Sequence, residues 1–311
     1  MNQGPAGHVT RSFNRPLAET APRAERRTFL RTVDGVTIDA LYEPGKGTSA
    51  SPSELSGDLS GDLSGGHFRA TSGELAIVVA HGFTGDLDRP HVRRVAGLLA
   101  EHAAVVTFSF RGHGASGGLS TVGDREVLDL AAAVAWAREL GHTRVATVGF
   151  SMGGSVVLRH AAMHRRGPAH GPAQEQVGRT GAYTDAVASV SAPARWYYRG
   201  TKPMRRLHWV VTRPLGRTIS RYGLRTRIHH RDWDPVPLSP VESVPLIAPT
   251  PLLIVHGELD GYFPLDHPRM LAAAGEDHAE LWLEAGMGHA EHAADDALLG
   301  RIGAWAASAA G

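Results

Sequence analysis

The amino-acid sequence predicts an α/β fold, a mostly parallel sheet with helices on both faces. Three observations carry that expectation. From residue 75 onward, short β-branched runs alternate with longer segments of helical period. The runs are apolar throughout and lack the alternating polarity of a half-solvated strand, which places both faces of the sheet in the interior. The chain's 311 residues, 42% of them hydrophobic, suffice for one large or two modest domains with a full core.

Residues 1–25 are polar, punctuated by glycine and proline and without period, and read as a disordered leader. RTFLRTV (27–33) and VTIDALYEP (36–44) read as two short strands. Residues 45–74, with a doubled SGDL, form a low-complexity loop with too little apolar surface to pack. The regular part opens with LAIVVAHGF as a strand, RPHVRRVAGLLAEH as an amphipathic helix, AVVTFSF as a strand and TVGDREVLDLAAAVAWAREL as a helix. RVATVGF, SVVLRHAAMH, DAVASVSA, PLLIVHGE, HPRMLAAAG, AELWLEAG and DALLGRIGAWAASA continue the alternation. Two stretches interrupt it. Residues 166–182 read as a flexible surface loop, and 194–245 show no strand pattern before PLIAPTPLLIV, so the core is assigned to 26–193 and 246–311.

Composition excludes several classes of function. Thirty-two basic residues against 31 acidic ones leave a formal charge of +1, without the field that draws a protein onto nucleic acid. The absence of cysteine rules out thiol catalysis, cysteine-ligated metal and disulfides. No stretch approaches the ~18 apolar residues of a membrane helix, and the N-terminus has no apolar signal region. The expected location is the cytoplasm, with no integral membrane segment.

The pattern Gly-x-Ser-x-Gly occurs twice, at Gly149-Phe150-Ser151-Met152-Gly153 and at Gly114-Ala115-Ser116-Gly117-Gly118. A nucleophile elbow needs its serine on a tight strand-to-helix turn, with the next N–H turned toward the substrate. Ser151 follows a strand directly and opens a helix. Ser116 comes several residues after its strand, inside a glycine-rich loop, and reads as a turn residue near the site mouth.

A serine hydroxyl needs a base within hydrogen-bond reach, and the base needs an orienting acid. In the chain order Ser, Asp, His, PLLIVHGELDGYFP supplies Asp260 and LWLEAGMGHAEH supplies His289, each just beyond a strand. Ser151, Asp260 and His289 then all lie at carboxyl ends of parallel strands, where open α/β sheets build their sites. His292 competes with His289 but reads as the start of the last helix. Glu258 competes with Asp260 but lies too close to its strand, and Asp185 precedes its strand. The oxyanion of an acyl-transfer intermediate needs two donors, and the backbone amides of Met152 and Phe83 are placed to serve, with Gly82 allowing close approach.

With these residues in place the sequence resembles α/β-hydrolases of the serine esterase and lipase type. AHGF (80–83), FRGHGASGG (110–118), GFSMGG (149–154), HGELDGYFP (256–264) and GMGH (286–289) carry the likeness, in the family's order, across residues 75–311. RGHGAS resembles the corresponding segment of feruloyl esterases and monoglyceride lipases. The resemblance implies an eight-stranded sheet whose antiparallel start is the two runs before residue 45, and a small helical lid inserted at 194–245. The low-complexity loop departs from the family pattern, away from the expected active edge.

The expectation is a cofactor-independent and metal-independent hydrolase of small-molecule carboxylic esters, working through an acyl-enzyme on Ser151; no oligomeric state is implied. The same triad serves amides, thioesters or peracids and acyl transfer, and the fold also suits a catalytically silent binding protein. Residues 194–245 hold eleven Arg or Lys residues against Asp232, Asp234 and Glu242. Trp196, Tyr197 and Tyr198 are the candidate substrate contacts there. A basic lid would attract anionic or lipid substrates, but the expected form is a helical cap with solvated arginines and aromatics packed on the core.

Overall fold

A computed structural model of the protein describes residues 24–46, 74–165 and 181–311. The leader up to residue 23, most of the low-complexity loop (47–73) and most of the expected surface loop (166–180) lie outside the described residues. In chain order the strands are β1 (Arg26–Arg31), β2 (Thr37–Glu43), β3 (Leu75–Ala80), β4 (Ala104–Phe108), β5 (Arg144–Phe150), β6 (Ala186–Val190), β7 (Leu252–Gly257) and β8 (Ala279–Glu284). The helices are α1 (Pro90–Leu99), α2 (Glu126–Glu139), α3 (Met152–Met163), α4 (Lys202–Thr212), α5 (Pro214–Gly223), α6 (Asp266–Gly275) and α7 (Asp296–Ala309).

The eight strands form one sheet in the order β1-β2-β4-β3-β5-β6-β7-β8. β2 is antiparallel to β1 and to β4, and every pairing from β4 to β8 is parallel. Strand alternation divides the core. Ala76, Val78 and Ala80 of β3 face a cluster built with Leu130 and Val134 of α2 and Val157 and Leu158 of α3. Leu75, Ile77 and Val79 face the other, with Val95 and Leu99 of α1 and Leu299 and Ile302 of α7. Both faces being covered is why β3 is apolar at every position and β5 and β7 at nearly every one.

Three local expectations are corrected. α2 begins at Glu126, not in the preceding TVGD, because the buried Glu126 carboxylate accepts from the amides of Thr121, Val122 and Gly123 and closes that segment into a turn. β7 starts only at Leu252, since Pro245, Pro249 and Pro251 cannot donate to a strand ladder. His292 does not start the last helix; it lies in a one-turn helix, Ala290–Ala293, and α7 is opened by Asp295, whose side chain accepts from Leu298 N.

Residues 194–245 leave the sheet after β6 and return through a short turn, Pro240–Ser243, before β7. Pro203 and Pro214 stand in the first turns of α4 and α5, where a missing N–H costs nothing. After α5 the chain makes isolated bridges, Thr226 to His113 and Ile228 to Ser120, which the absence of a strand pattern did not suggest. Arg227 adds a guanidinium bond to the Ser116 carbonyl and ties the segment to the loop after β4.

Candidate active site

Sheet order places the site. The strand sequence reverses at β3, so the loops leaving the carboxyl ends of β3 and β5 lie side by side. Ser151 occupies the single residue between β5 and α3, with φ +52° and ψ −110°. A non-glycine residue so far from the allowed regions stores about 1–3 kcal/mol of strain, which the surrounding packing must hold. The Ser151 amide is anchored on Val190 O of β6 at 2.8 Å. The flanking glycines follow from the same compression: a Cβ at Gly149 would collide with the Gly153 carbonyl, and one at Gly153 with the Ala80 carbonyl at the end of β3.

The structure brings Ser151, His289 and Asp260 into one hydrogen-bonded line. His289 Nε2 lies 2.9 Å from Ser151 Oγ, and His289 Nδ1 lies 2.7 Å from Asp260 Oδ2. With a carboxylate on Nδ1, the imidazole carries its proton there and turns a free Nε2 lone pair to the serine hydroxyl. Asp260 Oδ1 accepts from the amides of Tyr262 at 2.7 Å and Phe263 at 3.1 Å. Burial alone would raise the Asp260 carboxyl, but the His289 hydrogen bond and charge and these two amides hold it below its ordinary value. The aspartate side chain is 1% exposed and the histidine 17%, so the line runs from interior to cavity.

Supporting contacts surround it that sequence patterning did not reveal. The Tyr262 ring stacks on His289 at 4.2 Å between centroids. His256, kept neutral by burial, donates from Nε2 to Phe263 O at 2.8 Å and fixes the loop that carries Asp260. On the β3 side Phe110 N donates to His81 Nε2, so His81 Nδ1–H donates to Gly82 O at 2.7 Å. Burial, with His113 beside it, pushes the His81 imidazole down to about 3, which leaves it a neutral clamp. Gly82 N in turn donates to the buried carboxylate of Glu291 at 3.1 Å. Only Gly82 was singled out from this set; the partners of the others lie far away in sequence.

Phe83 and Met152 line the same cavity as Ser151. That cavity has a volume of about 710 Å³, and α4, α5 and the segment around Trp233 complete its wall. Trp196, Tyr197 and Tyr198 all face into it. Trp196 packs edge-on against Trp233 and donates from Nε1 to Pro237 O at 3.0 Å, while Tyr198 lies over His267. Not every aromatic of the segment packs inward, for Trp209 is 43% and Tyr222 77% exposed. Nor are its arginines simply solvated: Arg205 and Arg217 donate to backbone carbonyls and Arg195 pairs with Asp266.

The competing residues are placed elsewhere. Ser116 is fully buried, donating to Ser109 O at 2.6 Å and accepting from Asp39 N at 2.9 Å, and takes no part in lining the cavity. Glu258 is exposed, and His292 packs at a tilt against His91. Asp185 is paired with Arg138 at the amino end of β6.

The family model described as the alpha/beta hydrolase family matches residues 77–300. No curated protein matches the sequence. Among solved structures, an esterase of Pyrococcus furiosus, Pf2001, superposes with a TM-score of 0.63 at 19% identity, covering 93% of this chain and 94% of that one. The esterase domain of a Rhodothermus marinus protein gives 0.58 at 18%, covering 93% and 100%. XC6422 of Xanthomonas campestris, described as a serine hydrolase without a lid, gives 0.52 at 18%, covering 93% and 94%.

Proposed function

The chain belongs to the alpha/beta hydrolase family, and from that premise we propose that it hydrolyses carboxylic esters of small molecules through Ser151, His289 and Asp260. Ser151 Oγ attacks the ester carbonyl while His289 Nε2 takes its proton. Asp260 holds the imidazole in the Nδ1–H tautomer and stabilises the imidazolium that forms. The amides of Phe83 and Met152 receive the developing oxyanion, the imidazolium protonates the departing alcohol, and water activated by the same histidine clears the acyl-enzyme. Residues 194–245 act as a helical lid that shapes the pocket.

The observation that carries the reading is the continuous line from Ser151 Oγ at 2.9 Å to His289 and on at 2.7 Å to Asp260, its serine at a cavity wall. A catalytically silent binding protein would have no need to hold Ser151 at a strained φ of +52° against a base. The Pyrococcus esterase and the Rhodothermus esterase domain, similar in fold, favour esters over amides. A fluorophosphonate probe is expected to label the wild-type chain and leave Ser151→Ala unlabelled. Equal labelling of both proteins would remove Ser151 from the mechanism. A panel of acyl esters of graded length and aromaticity then measures what the lid admits.

A further inference from the structure

Behind the oxyanion loop lies a second cluster of polar side chains that ester hydrolysis does not use. His91 on α1 meets Glu291 and His292 of the one-turn helix that follows His289, and one ligand atom from each lies within 4.8 Å of the other two. His91 Nε2 stands 3.8 Å from Glu291 Oε1, beyond hydrogen-bond distance. The rings of His91 and His292 approach to 3.9 Å between centroids, tilted by 44°. The Glu291 carboxylate is 5% exposed, and among the described residues its hydrogen-bond donor is the Gly82 amide. Arg94, whose guanidinium reaches this helix, is engaged by Asp296 and by the carbonyls of Glu291 and Ala294 instead.

A buried carboxylate with one amide donor is under-compensated, and two imidazoles beside it offer lone pairs in place of charge. A divalent cation satisfies all three groups together. We propose that His91, Glu291 and His292 form a binding site for a divalent transition-metal ion of the zinc class. Two imidazole nitrogens and a carboxylate oxygen suit zinc, cobalt, nickel or copper over magnesium or calcium, which take oxygen sets. Tetrahedral zinc with bonds near 2.0–2.1 Å holds its ligand atoms about 3.3 Å apart, so the His91–Glu291 pair at 3.8 Å needs to close by about 0.5 Å and no pair by more than about 1.5 Å. His292 is exposed and free to make that movement. Three protein ligands leave a fourth position for water.

The site is built into the catalytic framework. A Cβ placed at Gly82 would lie 3.1 Å from Glu291 Oε1 and 3.5 Å from the Ser151 Cβ, so the carboxylate stands directly behind the loop that carries Phe83. Metal binding would pin α1 to the turn after His289 and fix the carboxylate that holds the Gly82 amide. No local pattern reveals such a site, since His91 precedes its partners by most of the folded chain.

The test is independent of any esterase activity. The full chain, stripped with a chelator, is titrated with Zn²⁺ by calorimetry, with millimolar Mg²⁺ and Ca²⁺ present as competitors. The expected result is one equivalent bound with micromolar or tighter affinity, weakened about 100-fold in His91→Ala and in His292→Ala, with a metal-dependent rise in Tm lost in both. Glu291→Gln, which keeps an acceptor for the Gly82 amide, should weaken binding while preserving the metal-free circular dichroism. Wild-type affinity in the two histidine variants, or no equivalent bound by the wild-type chain, would overturn the site.

Discussion

Ser116 and Ser151 stand in the same five-residue pattern, one in the loop after β4 and the other between β5 and α3, yet their hydroxyls meet opposite surroundings. Ser116 Oγ is spent twice on backbone, donating to Ser109 O and accepting from Asp39 N, and so joins β2 to the end of β4. Ser151 Oγ faces an imidazole at 2.9 Å on a cavity wall. The lesson is that glycine spacing supplies only backbone room. Whether a serine in it becomes reactive depends on what the neighbouring strands deliver beside it.

The sharpest way to break that contrast is kinetic. Ser151→Ala is expected to lower kcat by a factor on the order of 10⁴ to 10⁶, while Ser116→Ala keeps kcat within about threefold. Comparable losses in steady-state assays of both variants would erase the distinction. The glycines come next. Gly153→Ala should destabilise by about 3 kcal/mol or more in denaturant unfolding, because its Cβ would drive into the Ala80 carbonyl and neither backbone can yield. Gly117→Ala, whose Cβ would stand 3.3 Å from Thr37 O, should cost much less.

Ser116→Ala itself is expected to lose about 1–3 kcal/mol of stability, since it leaves the buried Asp39 amide and Ser109 carbonyl unpaired. Unchanged stability there would mean that the loop after β4 relaxes around the loss. The smallest effect is a pH dependence. Asp260 is held below its ordinary value of 3.8, so its ionised form adds stability above that pH, and the contribution is lost as pH falls through the folded-state value. Wild-type protein should therefore lose stability more steeply than Asp260→Asn on acidification below about pH 4. Parallel acid-unfolding curves would show that His289 and the Tyr262 and Phe263 amides do not favour the carboxylate.

Much of the fold was legible because burial on both sheet faces writes itself into local composition. β3, β5 and β7 are apolar at nearly every position, and the intervening segments keep helical period. The catalytic candidates were legible for a related reason. Each lies within five residues of a strand's carboxyl end, so its place at one sheet edge follows from chain order alone. Element ends were less visible: the start of α2 is set by Glu126 folding back on four preceding residues, an arrangement that helical period does not distinguish from one more turn.

By itself, then, the sequence determined the layered α/β architecture, the Gly-x-Ser-x-Gly pattern around Ser151 and the order in which Asp260 and His289 follow it. These rest on hydrophobic periodicity and on backbone sterics, both properties of neighbouring residues. Only the tertiary structure decided that the three side chains meet, that Glu291 sits behind Gly82, that His91 lies against His292, and that Trp196 and Trp233 close one wall of the cavity. Those facts depend on distances between strands and helices remote in sequence, which chain separation does not encode and packing alone sets.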